Sequence, residues 1–318
     1  MSSSSFGKPT DDHAVLPGGS DFWDREEGVE RPTGGLYSSS SDMSNFLRYV
    51  LKNYKLIATG ENWLSPTSWG TGMSNFYGMP WEIFRSDKIL EDSRRPVTLY
   101  TKSGGLPGYS SLIVLLSDYD LGVTFLVGGG AVLESLRGLV LPALIKAAEG
   151  AIWEYVAKEY AGEMVATDQA LNSSLTLASS PKQGLTITKF ISNGTDILNF
   201  VIPRFLVPNL AQRGIPWHAQ LIPTMLFKNE SSRQGEIWRM LTVEDPTETS
   251  SVFDEWCVND IDGATYNGVP INEVVFWREE GLVEFPAFEV AFRLTADNIA
   301  ASFGYIPERL QHFFKPGA

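Results

Sequence analysis

Cysteine is almost absent from this chain of 318 residues, Cys257 being the only one. That excludes an intramolecular disulfide and any cluster of thiolate ligands. In the apolar setting Trp256-Cys257-Val258, a lone thiol is expected to fill space. Histidine is nearly as scarce: His13, His218 and His312 stand too far apart for the ligand spacing of a zinc site. No metal and no cofactor is expected. Positive charge is in the minority, 25 Lys and Arg against 38 Asp and Glu, for a net charge of −13. Without a basic stripe to neutralise phosphates, a nucleic-acid partner is not expected. No apolar run is long enough to span a bilayer, so a membrane is not expected as a partner either. Met1-Ser2-Ser3-Ser4-Ser5 lacks the basic start and apolar core of a secretory signal. What remains is an ordinary globular composition, 43% hydrophobic and 20% charged, at a length that suggests two domains.

The first 35 or so residues read as loop, punctuated by Pro9, Pro17, Gly18-Gly19, Pro32 and Gly34-Gly35. The acidic group Asp24, Glu26, Glu27 and Glu30 belongs to that solvated loop. A helix is expected from Ser40 or Ser41, where a serine caps it and Asp42 suits the positive end of its dipole. Met43, Phe46, Leu47, Val50 and Leu51 give it one apolar face. Residues 57 to 95 look mostly irregular, and their aromatic side chains are expected to pack the loop down.

Val97-Thr98-Leu99-Tyr100 favours a strand, because branched and aromatic side chains suit a pleated surface. Two further apolar runs follow, Ser111–Leu116 and Leu121–Val127, joined by an Asp-rich turn as in a hairpin. Their nearly continuous hydrophobicity predicts strands covered on both faces. A helix over 131 to about 160 would cover one face, with Pro142 kinking or dividing it. Beyond about residue 165, helical periodicity gives way to short strand-like runs, the pattern of a separate β-sandwich or barrel. The stretch from Thr295 to Ala318 looks helical or loose. The fold class is α+β, with domains at 1–163 and 164–318.

Candidate chemistry concentrates in Lys102-Ser103-Gly104-Gly105-Leu106-Pro107-Gly108-Tyr109. Glycines at the end of a strand let another backbone or a ligand approach, and Lys102 puts a positive charge beside them. Such an edge suits a carboxylate and an acyl group. A Ser-x-x-Lys pair on a helix would let the lysine deprotonate the serine. Ser5-x-x-Lys8 and Ser179-x-x-Lys182 have the spelling, but Pro9 and Pro181 deny both the helix. Asn172, Asn193 and Asn229 head N-glycosylation tripeptides.

Lys102-Ser103-Gly104 resembles the Lys-Thr/Ser-Gly box of serine β-lactamases and penicillin-binding proteins. Gly-Leu-Pro-Gly-Tyr-Ser-Ser after it resembles the continuation in the class C β-lactamase/esterase family. Gly34-Gly35-Leu36-Tyr37-Ser38-Ser39-Ser40-Ser41-Asp42-Met43 is similar to that family's lead-in to a helix. Asp254-Glu255-Trp256-Cys257 and Tyr266 through Trp277 resemble the appended domain of fungal β-lactamase-like proteins.

The resemblance implies the C-terminal half of a β-lactamase/transpeptidase-like domain, helices on an antiparallel sheet, followed by the β-rich accessory domain. It implies hydrolysis or acyl transfer on an amide, ester or lactone through an acyl-serine, in fungal natural-product metabolism, with a small-molecule acyl substrate. Lys102 and Ser103 would take catalytic roles, Lys102 anchoring a substrate carboxylate or tuning the base and Ser103 bonding the same end. Gly104, Gly105 and Tyr109 would bind substrate, the Gly105 N–H as one oxyanion donor. The family's nucleophile and Tyr-x-Asn boxes lie upstream of the Gly-Gly-Leu-Tyr block and have no counterpart here. The chain is therefore expected to be inactive alone, with a missing N-terminal half or self-association to cover it, and secreted if it follows the family's full-length form. The alternative is a non-catalytic binding or remnant protein.

Overall fold

The structure, a computed structural model, describes residues 3–6, 23, 28–57, 63–129, 132–208, 212, 214–245 and 264–294. The chain divides into two compact units, 1–150 and 151–318.

In the first unit a single turn α1 (Arg31–Gly34) precedes α2 (Ser40–Ile57). Ser39 caps α2, its Oγ accepting the Asp42 N–H at 3.2 Å. Leu47 and Val50 on its inner face pack with Leu64, Phe76, Trp81, Ile83 and Leu115. The sheet beneath is antiparallel throughout, in the order β1 (Ser68–Trp69), β2 (Asn75–Tyr77), β3 (Glu82–Ser86), β4 (Val97–Leu106), β5 (Tyr109–Leu116), β6 (Leu121–Gly128). The stretch expected to be irregular thus supplies three strands and doubles the sheet to six. They are two, three and five residues long, too short for alternation to show, and pairing in series, β3 onto β4, β2 onto β3 and β1 onto β2, is what makes them strands.

Side chains alternate across β4 and β5. Tyr100, Ile113 and Leu115 lie with α2, so Leu99, Leu112 and Val114, all buried, form the opposite face. In α3 (Leu133–Tyr160), Leu141, Ile145 and Glu149 form a buried stripe at four-residue spacing. The Glu149 carboxylate accepts from Arg95 Nε at 3.1 Å, Arg95 Nη2 at 2.6 Å and the Tyr119 hydroxyl at 2.7 Å. Arg95 precedes β4 and Tyr119 follows β5, so this cluster ties helix to sheet. Burial and the bond to Glu149 push the Tyr119 phenol well above its usual range. The helix is not divided at Pro142 but runs on through it.

The second unit is built from β7 (Gly162–Ala166), β8 (Ser174–Ser180), β9 (Gly184–Ser192), β10 (Thr195–Asp196), β11 (Trp217–Asn229) and β12 (Gln234–Glu244). A small ribbon, β13 (Thr265–Tyr266) and β14 (Val269–Pro270), leads into β15 (Glu273–Trp277), β16 (Leu282–Phe285) and β17 (Val290–Leu294). Antiparallel neighbours run β9-β11-β12-β15-β16-β17-β7-β8, and β8 pairs back onto β9. Of the two expected architectures, sandwich or barrel, this is a closed eight-stranded barrel, with β10 added beside β9. Closure leaves no unpaired edge among the eight strands. Side chains fill the interior: Phe190 meets Phe285 at 4.3 Å between ring centroids, and Phe292 at 5.9 Å. Tyr160, the last residue of α3, joins this core and donates to Glu236 at 2.9 Å. Asp254–Cys257 and residues 295–318 lie outside the described residues.

Candidate active-site strand edge

Lys102, Ser103, Gly104, Gly105 and Tyr109 all fall on the β4–β5 hairpin. Pro107 fixes one corner of its turn, and Gly108 takes φ +85°, the left-handed value a type II turn needs at its second corner. Leu106 pairs with Tyr109, Gly104 with Ser111, and Lys102 with Ile113. The inner half of β4 is buried, whereas Lys102 through Gly105 is exposed.

What opens this edge is the early end of β3. Its first residue, Glu82, pairs with Thr101, so β4 continues past it. The Glu82 side chain fills the next position: its Oε2 accepts the Ser103 N–H at 3.1 Å. Ser103 N–H therefore points away from β5, and Gly105 N–H, two residues on, points the same way. Among the described residues no strand pairs with β4 there. A Cβ at Gly105 would meet, among the described residues, only the Tyr109 carbonyl oxygen, at 3.9 Å. A carbonyl oxygen brought to this edge would meet an N–H donor that no described strand takes up.

Glu82 also holds the two side chains expected to carry the chemistry. Lys102 Nζ donates to its Oε1 at 2.6 Å, and Ser103 Oγ to the same oxygen at 3.0 Å. Burial pushes the Glu82 carboxyl up, but the bonds from Lys102 and from the Ser103 side chain and backbone outweigh it and hold it below the usual carboxylate range. Glu82 is the residue that sequence reasoning missed. It lies twenty positions before Lys102, in a stretch read as irregular, and only the strand register joins them.

Tyr109 sits at the far end of the hairpin, its ring 6.2 Å from that of Trp23, which meets Tyr37 edge-on at 5.1 Å. Of the two Ser-x-x-Lys spellings, Ser5 is in a bridge to Tyr37, with Lys8 outside the described residues, and Ser179 lies in β8, whose last residue Ser180 precedes a turn. Asn172, Asn193 and Asn229 are exposed on the barrel unit.

Residues 2–134 match the model of the β-lactamase family, and residues 152–295 that of the β-lactamase-like C-terminal domain. The chain belongs to the β-lactamase-like family. It is 34% identical over 288 residues to a probable hydrolase, clz13, of Cochliobolus lunatus, covering 88% of this chain and 46% of that protein. It is 33% identical over 291 residues to a probable hydrolase, M10, of a Phoma species, covering 88% and 47%. A β-lactamase-like protein of Arthroderma benhamiae is 26% identical over 294 residues, covering 84% and 49%. The chain thus spans about half the length of the curated relatives it matches. No solved structure matches it.

Proposed function

We propose that residues 97–111 form the carbonyl-binding wall of an acyl-transfer site that hydrolyses, or transfers the acyl group of, an amide, ester or lactone through an acyl-serine. The attacking hydroxyl comes from outside these 318 residues, as in a β-lactamase-like domain of which this is the C-terminal half. The observation that carries the reading is the Gly105 N–H aimed off the open edge of β4 beside the Lys102–Ser103–Glu82 cluster. Backbone N–H groups fixed in this way stabilise the oxyanion of a tetrahedral intermediate. Two relatives that bear the name hydrolase support the same class.

The test is turnover of p-nitrophenyl butyrate and a chromogenic cephalosporin. The 318-residue chain alone should show at most the residual of a site without its nucleophile, about 10³–10⁴-fold over water. Joined to the portion of the Cochliobolus lunatus relative that the similarity leaves uncovered, it should turn over substrate, and Lys102→Ala should abolish that activity. Strong turnover by the chain alone, lost in Lys102→Ala, would place the nucleophile within it and defeat the reading. The three exposed asparagines are part of the proposal: in a secretory host each should carry a glycan, read as a mass loss on deglycosylation.

A further inference from the structure

We propose that Glu82 makes this strand edge selective for neutral acyl substrates, uncharged esters, lactones or amides, and against substrates that carry a carboxylate beside the reacting carbonyl. The inference rests on the reading of the edge as an acyl site and adds the charge of its substrate. Lys102 is the only cation in the sequences of β4, β5 and β6. Its ammonium lies 2.6 Å from the Glu82 carboxylate. Both hydrogen-bond donors of Ser103, the N–H and the hydroxyl, go to that same carboxylate. The three groups that would clasp a substrate carboxylate are thus occupied by one the protein supplies.

An arriving anion would have to displace Glu82 from both Ser103 donors, or share the Lys102 ammonium with it, and in either case lie against its negative charge. A neutral acyl group needs neither, because the Gly105 N–H is not part of the clasp. Like charges brought together at a binding edge set specificity by repulsion. The Lys102 and Glu82 side chains are 44% and 35% exposed, so water screens the effect, and a discrimination of about tenfold is expected rather than an absolute block.

The experiment uses the isotopically labelled 318-residue chain and two anilides of equal length, butyranilide, which is neutral, and succinanilic acid, which is anionic. Binding is read from the backbone amide signals of Gly104 and Gly105. The wild type should bind butyranilide about tenfold more tightly than succinanilic acid, a ratio that narrows in high salt. Glu82→Gln, which removes the charge and keeps the shape, should bring succinanilic acid level with butyranilide or ahead of it. Equal binding of the two by the wild type, or an unchanged ratio in Glu82→Gln, would overturn the selectivity while leaving the acyl site standing. Failure of both ligands to move either glycine signal in both proteins would instead overturn the acyl site.

Discussion

The charge on Glu82 is held more firmly than that of a free carboxylate. Its pKa lies below the ordinary 4.5 because the bonds from Lys102 and Ser103 outweigh the opposing effect of burial. A lowered folded value means that the clasp contributes in full above the unfolded pKa and is lost as pH falls through the folded one. Carbon-13 titration of the Glu82 carboxyl should show a midpoint below 4.5, moving upward in Lys102→Met. An unmoved midpoint would mean that Lys102 does not hold the carboxylate. Tyr119 follows the opposite sign, since burial first and then Glu149 raise its pKa above the ordinary 10. Its contribution is complete below the unfolded value and is lost as pH climbs from there towards the folded one. Glu149→Ala would leave Tyr119 and the partly buried Arg95 guanidinium without their shared acceptor. A loss of about 2 kcal/mol is expected in urea unfolding, below the range for fully buried pairs because Arg95 keeps some water. The candidate residues Lys102 to Tyr109 are neighbours in sequence and stay neighbours on the hairpin, so their grouping needs no long-range pairing to be read. Glu82 was not legible, because a residue facing another strand is chosen by register, which no local pattern encodes. Lys102, expected to anchor a substrate carboxylate or tune the base, meets in the fold a carboxylate of the protein's own.

At the level of elements, what could be read was what carries its own signal. The helix at Ser40 announces itself by a serine cap and a four-residue apolar rhythm, and β5 by an unbroken run of branched and aliphatic side chains. The strands β1 to β3 carry none of this, being short and separated by Gly70, Gly72, Gly78 and Pro80. They exist because β4 offers β3 hydrogen bonds to pair with, and β3 and β2 offer them in turn to the next strand, a tertiary effect that outweighs local propensity. Pro142 misled for a related reason. The carbonyl that its ring deprives of a donor belongs to Gly138, which is exposed, so water can take over and the helix continues. Packing of α2 onto the sheet depends on one small residue. A Cβ at Gly122 of β6 would lie 2.9 Å from Leu47 Cβ and 3.1 Å from its Cδ1, closer than side chains tolerate. Leu47 is itself 3% exposed and has little room to yield. Gly122→Ala should therefore lower the stability of the first unit by about 1–3 kcal/mol, the ordinary cost of overpacking. Thermal unfolding followed by near-ultraviolet circular dichroism checks this, and a midpoint equal to or above that of the wild type would show that α2 is not seated as described.

Across the whole molecule, the two sheets handle their edges in different ways. The barrel joins β8 to β9 and leaves no edge among its eight strands. The six-stranded sheet ends at β6, which among the described residues pairs only with β5. Natural edge strands are protected by charge, by proline or by brevity. The β6 sequence, Leu121-Gly122-Val123-Thr124-Phe125-Leu126-Val127-Gly128, is eight residues long and has neither charge nor proline. Its near-continuous hydrophobicity predicted a strand covered on both faces, yet Leu126 is 48% exposed, as are Leu139 at 73% and Val140 at 38% on α3. An unpaired apolar edge seeks a further strand. When the 318-residue chain is alone, the strand at hand is the β6 of a second copy, which can pair antiparallel across a two-fold axis. Light scattering coupled to size-exclusion chromatography should accordingly show concentration-dependent association. Leu126→Lys should reduce it while changing unfolding stability by no more than about 0.5 kcal/mol, as befits an exposed position. A wild type that stays monomeric at high micromolar concentration, or a lysine variant that associates as readily, would show that this edge is already covered.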